Sequence, residues 1–236
     1  MNDDDETVLL NAAHYKALIP IVNCVRSRGM ARDEAWLFAG ALLQYTANGK
    51  IDRLIMKHTA PLSDEFFTGK VGTINQELRS GRRSEGMDGL IELFTRGLGL
   101  LPDYIPPRGQ IPTRMMEPYE DIDAHYAVGK VLIMAEVGSV GKVKPPSDSQ
   151  YYKRRYRLEF DGGLKDISNL NAAQQEVLYA PGSHYRVEAI RDGKVKDKKG
   201  IAGSPQAHRH ITLKFLRADS PEVRNTAPTD LIDLRQ

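Results

Sequence analysis

Several residue groupings in this chain could do chemistry, and most fail a spacing test. Gly138-Ser139-Val140-Gly141-Lys142 follows an apolar run and resembles the end of a phosphate-cradling loop. That loop needs glycine where Glu136 stands and Ser or Thr where Val143 stands, and a carboxylate at the first position repels phosphate. His208 and His210 share one face of a strand at i, i+2. They read as exposed strand histidines or as half a metal site, with no acidic or histidine partner nearby in sequence. Neither a Gly-x-Ser-x-Gly elbow nor a zincin helix is present. From Arg186 to Arg217, nine Lys and Arg face only Glu188, Asp192 and Asp197. This stretch is either a solvated hairpin or a contact to an anionic partner such as nucleic acid. One carboxylate stands apart. Glu176, in Gln174-Gln175-Glu176-Val177-Leu178, opens a strand after a Gly-, Asn- and Asp-rich segment, Gly162 to Ala173, and before Ala180-Pro181-Gly182.

The elements that must position these groups follow from composition and periodicity. The chain has 236 residues, 41% hydrophobic and 27% charged, with a net charge of +2. Such a chain buries a core without staples and lacks the whole-surface positive charge of a nucleic-acid binder. Cys24 is the only cysteine, which excludes an intramolecular disulfide and a thiolate zinc site. No run of 18 apolar residues occurs, and Met1 to Glu6 is acidic where a secretory signal is basic. The expected location is the cytoplasm, or a target-cell cytosol reached by secretion without a cleavable signal.

Helical spacing covers Glu6 to Arg28, with Pro20 expected to break or kink it, and then Arg32 to Thr46, Ile51 to His58, Ile74 to Arg79 and Met87 to Leu98. Prolines crowd the interval after Leu101 and argue against helix. Strand patterns follow at Lys130 to Val137, Tyr156 to Phe160, Glu176 to Tyr179, His184 to Ile190 and Ile211 to Phe215. Ala180-Pro181-Gly182-Ser183 places Pro and Gly as a type II turn prefers, so the strands on either side read as a hairpin. Helices first and an antiparallel-looking sheet second make the α+β class. The expected divisions are a helical part over 1–100, a β-rich part over 101–218 and a loose tail over 219–236.

The segment Gln174-x-Glu176-Val177-Leu178 with its Pro-Gly turn resembles the catalytic loop and strand of the mono-ADP-ribosyltransferases. Leu100 to Tyr104 followed by Arg108-Gly109 is similar to the family's Arg-Gly strand. Gly129-Lys130-Val131 through Ser139 is similar to the approach to its Ser-Thr-Ser strand, and Tyr45-Thr46 and Ile74 to Arg79 to its N-terminal helices. The pieces keep the family's order over Ala35 to Phe215. They depart from it at Pro107 and Val137, where an aromatic is usual, and at Val140-Gly141, where Thr-Ser is usual.

The resemblance implies N-terminal helices packed on a split antiparallel sheet, and cleavage of the nicotinamide–ribose bond of NAD, a co-substrate, without a metal. A cation developing on the ribose needs a fixed anion, and the resemblance gives that role to Glu176. Ser139 would hydrogen-bond Glu176 and fix its rotamer. Arg108, beside Gly109, would bind the pyrophosphate with a guanidinium fork, and Arg114 is the alternative. Gln174 shares the face of Glu176 and would meet the acceptor. A neutral amide cannot pair with a guanidinium, so the acceptor is expected not to be arginine. Gln175 points away and is given no role. Tyr151 and Tyr152 either stack on a cofactor ring or pack in the fold. The expected protein is a toxin or injected effector with a macromolecular, most naturally protein, target, no membrane partner, and room for an inhibitory immunity protein. A binding module without turnover and a transferase acting on nucleic acid are the alternatives.

Overall fold

A computed structural model describes residues 18–46, 70–84, 86–116, 122–142, 156–167, 170, 175–194 and 207–234. The expected helices over 6–17 and 51–58 lie outside these residues, as do Tyr151, Tyr152 and Gln174. The chain divides into two compact units, Met1–Pro102 with Lys165–Gln174, and Asp103–Leu164 with Gln175–Gln236.

The first unit is helical. Residues 18–27 form a helix that Pro20 does not end. Helix α1 (Arg32–Thr46), α2 (Lys70–Ser80) and α3 (Met87–Leu100) follow. Asp33 and Glu34 lie in the first turn of α1, where the helix dipole favours anions. Phe38 of α1 meets Phe94 of α3 edge-on at 5.9 Å. A Cβ at Gly97 would lie 2.2 Å from the Phe38 ring, so glycine sets how closely α1 and α3 approach. Asn75 of α2 donates to Tyr45 Oη at 3.0 Å.

The second unit holds the strands β1 (Thr113–Met116), β2 (Val131–Ile133), β3 (Gly138–Gly141), β4 (Tyr156–Asp161), β6 (Glu176–Tyr179), β7 (His184–Lys194), β8 (Ala207–Leu216) and β9 (Leu231–Asp233). The two-residue β5 (Lys165–Asp166) belongs to the first unit. Within the second unit the strand order is β6-β3-β1-β4-β8-β7-β2-β9. The α+β class holds. The sheet, however, is mixed: β4 runs parallel to β8, and β2 parallel to β9. Rings from β4, β6 and β7 form its core, with Phe160 5.7 Å from Tyr179 and 5.3 Å from Tyr185.

Three expectations change. Lys130 to Val137 is not one strand. Val131–Ile133 pairs with β7 and β9, the chain bends at Glu136, and Gly138–Gly141 pairs with β6 and β1. The apolar run stays buried because each part finds a different partner. The turn at 180–183 forms, with Ser183 N–H bonding Ala180 C=O at 3.2 Å and Gly182 at φ 78, but it does not close a hairpin. A type II turn splays its flanking strands. β6 goes to β3 and β7 to β2 and β8, while Met134 bonds both Gly182 and Ser183 between them. The tail is not loose. A short helix, α4 (Ile122–His125), lies earlier in this unit; in the tail Ser220 caps a second one, α5 (Pro221–Arg224), and β9 then pairs with β2.

Candidate active site

The short strands β6 and β3 carry the carboxylate and the hydroxyl. Gly141 pairs with Glu176 and Ser139 with Leu178 in an antiparallel ladder. Partners and alternate residues share a face, so Ser139 and Glu176 stand on one side of the sheet. Ser139 Oγ donates to Glu176 Oε1 at 2.5 Å. That bond restricts the rotamer of the carboxylate. Glu176 and Ser139 are both half-buried, open enough to reach a ligand.

The backbone before Glu176 is unusual. Gln175 has φ 46, the left-handed region that non-glycine side chains seldom occupy. Its carbonyl accepts from Lys142 N–H at 3.0 Å, extending the β3–β6 ladder past Gly141. Its side chain is exposed. Gln175, to which the sequence pattern gives no role, is the left-handed residue from which the chain enters β6.

The two candidate arginines differ in surroundings. Arg108 is exposed in the turn Pro107 to Gln110, closed by Gln110 N–H to Pro107 C=O at 2.9 Å, and Gly109 has φ 81 in the same turn. This segment leads into Thr113, which pairs with Gly141, at the end of the ladder where Glu176 begins. Tyr104, at the segment's start, lies under Lys142 Nζ at 4.8 Å. Arg114 comes next to Thr113 and so faces the opposite side of the sheet. There its guanidinium bonds Tyr179 Oη at 2.5 Å and Glu136 Oε1 at 2.6 Å. Burial works against its charge, but Tyr179 and Glu136 outweigh burial and hold its pKa above the ordinary value.

Other sequence candidates find ordinary partners. His210 Nδ1 lies 3.7 Å from buried Glu159, which also pairs with Arg157 and Arg191. In the basic stretch, Arg186, Arg191, Arg209, Lys214 and Arg217 each pair with a carboxylate. Four of those carboxylates, Glu222, Glu159, Asp123 and Asp219, come from outside the stretch, which a local charge count misses. Sequence reasoning also missed the Glu136–Arg114–Tyr179 group. Its one visible signal was a carboxylate standing where a phosphate loop needs glycine.

No protein-family profile and no curated protein matches the chain. Solved structures do. ADP-ribosyltransferase Vis, from Vibrio splendidus, in complex with an inhibitor, superposes with TM-score 0.51 at 17% identity over 99% of this chain and 92% of Vis. Vis in complex with agmatine gives TM-score 0.50 at 17% identity, over 99% of this chain and 93% of that one. The enzymatic component C2-I of the Clostridium botulinum C2 toxin gives 0.51 at 15% identity over 79% of this chain and 44% of C2-I. The chain thus has the fold of the bacterial ADP-ribosyltransferase toxins. Among the described residues no helix is long and apolar enough to cross a membrane.

Proposed function

We propose that the protein is a mono-ADP-ribosyltransferase that uses NAD to modify a macromolecular acceptor. The observation that carries this reading is the 2.5 Å bond from Ser139 to Glu176 on adjacent strands of this fold. Nicotinamide leaves the ribose carbon, an acceptor atom bonds to that carbon, and the acceptor gives up a proton. Glu176 stabilises the positive charge that builds on the ribose, already oriented when substrate arrives. Ser139 keeps that carboxylate in place. Arg108, on its turn with Gly109, binds the pyrophosphate. Gln174 meets the acceptor with an amide, which offers hydrogen bonds and no charge. The acceptor is therefore not a guanidinium. Asparagine, glutamine, threonine or a nucleic-acid hydroxyl fits it better. An effector acting in a target cell is the setting this chemistry suits.

The test is nicotinamide release and transfer of labelled ADP-ribose into a cell lysate, with Glu176→Ala as control. We expect labelled protein bands that vanish in Glu176→Ala, with turnover down about 100- to 1,000-fold, the loss typical of one preorganised electrostatic group. Agmatine, added as a free guanidinium acceptor, is expected to stay unmodified. Gln174→Ala should keep NAD hydrolysis and lose transfer. Label removed by nuclease would redirect the acceptor to nucleic acid. Folded protein that releases no nicotinamide would support a binding module instead.

A further inference from the structure

We propose that Tyr179, Arg114 and Glu136 form a clamp that positions Glu176 from the reverse face of the sheet. The inference rests on the transferase reading of Ser139 and Glu176. Glu176 and Tyr179 are three residues apart on β6, so they project from opposite faces. Tyr179 does not simply pack downward. It is paired with Gly138, and a Cβ at Gly138 would lie 1.7 Å from Tyr179 Cζ and 2.2 Å from its Oη. The ring therefore lies across the β3 backbone and carries its hydroxyl toward β1.

Arg114 of β1 meets that hydroxyl at 2.5 Å, and its guanidinium carbon lies 5.7 Å from the ring centre. Side chains thus join β6 to β1 over the intervening strand. The span is two strand spacings, roughly 9–10 Å. Glu136, at the bend that leads into β3, completes the group. It accepts from Arg114 at 2.6 Å and lies 3.5 Å from Tyr179 Oη. All three side chains are largely withdrawn from water, with Arg114 26% and Glu136 14% exposed and Tyr179 3%. In that setting each partner is needed to satisfy the others, and removing one leaves a buried polar group or charge.

The need for a clamp comes from where Glu176 sits. It is the first residue of a four-residue strand, directly after a left-handed Gln175. Strand ends open most easily. A carboxylate that must not move as charge develops therefore sits near the end of its ladder, with one further described bond, Lys142 N–H to Gln175 C=O, beyond it. Tyr179 is the last residue of the same short strand, and the clamp ties that end of β6 to β1, which leaves the strand less free to shift as a whole. These residues are positioning residues: none reaches the Glu176 face.

The test compares wild type with Tyr179→Phe, Glu136→Gln and Arg114→Lys in the full chain. Nicotinamide release gives kcat and KM, and amide exchange at Val177 and Leu178 reads β6 without turnover. Tyr179→Phe keeps the ring and so keeps the packing, which makes it the variant that decides if either of the others fails to fold. The expected result is a kcat lower by about tenfold or more, as for a small misplacement of a reacting group. KM for NAD stays at the wild-type value and exchange at Val177 and Leu178 speeds up. The double variant Tyr179→Phe/Glu136→Gln costs little more than the worse single one, because the three act as a unit. A raised KM with unchanged kcat in Arg114→Lys would make Arg114 a substrate ligand and overturn the clamp. Unchanged kcat and exchange in Tyr179→Phe would overturn it too. If the wild type releases no nicotinamide, the transferase reading fails, while the exchange result still decides whether the clamp holds β6.

Discussion

The two halves of the second unit's sheet are built differently. β7 and β8 are eleven and ten residues long and pair along almost their whole length. Their inward residues Tyr185, Val187, Ile211 and Leu213 are buried, and the pairing slips once, between Val187 and Ala189. β1, β3 and β6 have four residues each. They include two glycines, a left-handed glutamine at the edge and the candidate chemistry. The long half is held by continuous ladder and apolar burial. The short half lacks the length for that and uses polar side chains instead: Ser139 to Glu176 on one face, Tyr179 to Arg114 and Glu136 on the other. Rigidity in the first is spread over many contacts, and in the second it rests on a few bonds that can be removed singly.

The sharpest way to break this contrast is a large cut in the long half. Leu213→Ala removes a fully buried side chain from β8 and should destabilise the fold by about 2–5 kcal/mol. Chemical denaturation measures the loss. Turnover per folded molecule should remain at the wild-type level, since nothing near Glu176 changes. A parallel fall in turnover per folded molecule would mean that the two halves are not separate in function. The opposite experiment removes one bond from the short half. Ser139→Ala deletes the donor to Glu176 and should slow nicotinamide release about tenfold, equivalent to about 1.5 kcal/mol, the lower end for a hydrogen bond to a charged group. The thermal midpoint should hardly move, because Ser139 is half-buried and small. A large drop in midpoint with unchanged turnover would give Ser139 a structural role only.

The same contrast decides what could be read from the sequence. The strand Glu176–Tyr179 was legible because it is contiguous and ends in a turn with strong residue preferences. The helices Arg32–Thr46 and Met87–Leu100 were legible because their apolar faces repeat locally. What failed depended on partners far away in the chain. Lys130 to Val137 is one apolar run in sequence but serves two neighbours in the sheet. Pro181-Gly182 signalled a turn and said nothing of which strand each arm would join. Thr113–Met116 was hidden behind a proline-rich approach, and β9 has too little hydrophobic pattern to be seen without β2 beside it. Arg114 was considered as a phosphate ligand because its type suggests one. Its side of the sheet is fixed by the pairing of Thr113 with Gly141, which no local pattern encodes.

Gln175 offers the smallest effect and the finest distinction. A left-handed conformation costs a non-glycine residue about 1–2 kcal/mol. Glycine removes that cost but enlarges the unfolded ensemble, at about 0.5–1 kcal/mol. Gln175→Gly should therefore gain at most about 1.5 kcal/mol of stability. Asparagine also tolerates this conformation, without glycine's freedom. If the strained backbone aims Glu176, the two substitutions must part company in activity. Gln175→Asn should keep wild-type turnover, because it keeps the turn. Gln175→Gly should raise the denaturation midpoint slightly and lower kcat, because the first residue of β6 is then less restricted. Equal turnover in both would show that the turn merely connects β6 to what precedes it, and that the hydrogen bond from Ser139 suffices to hold the carboxylate.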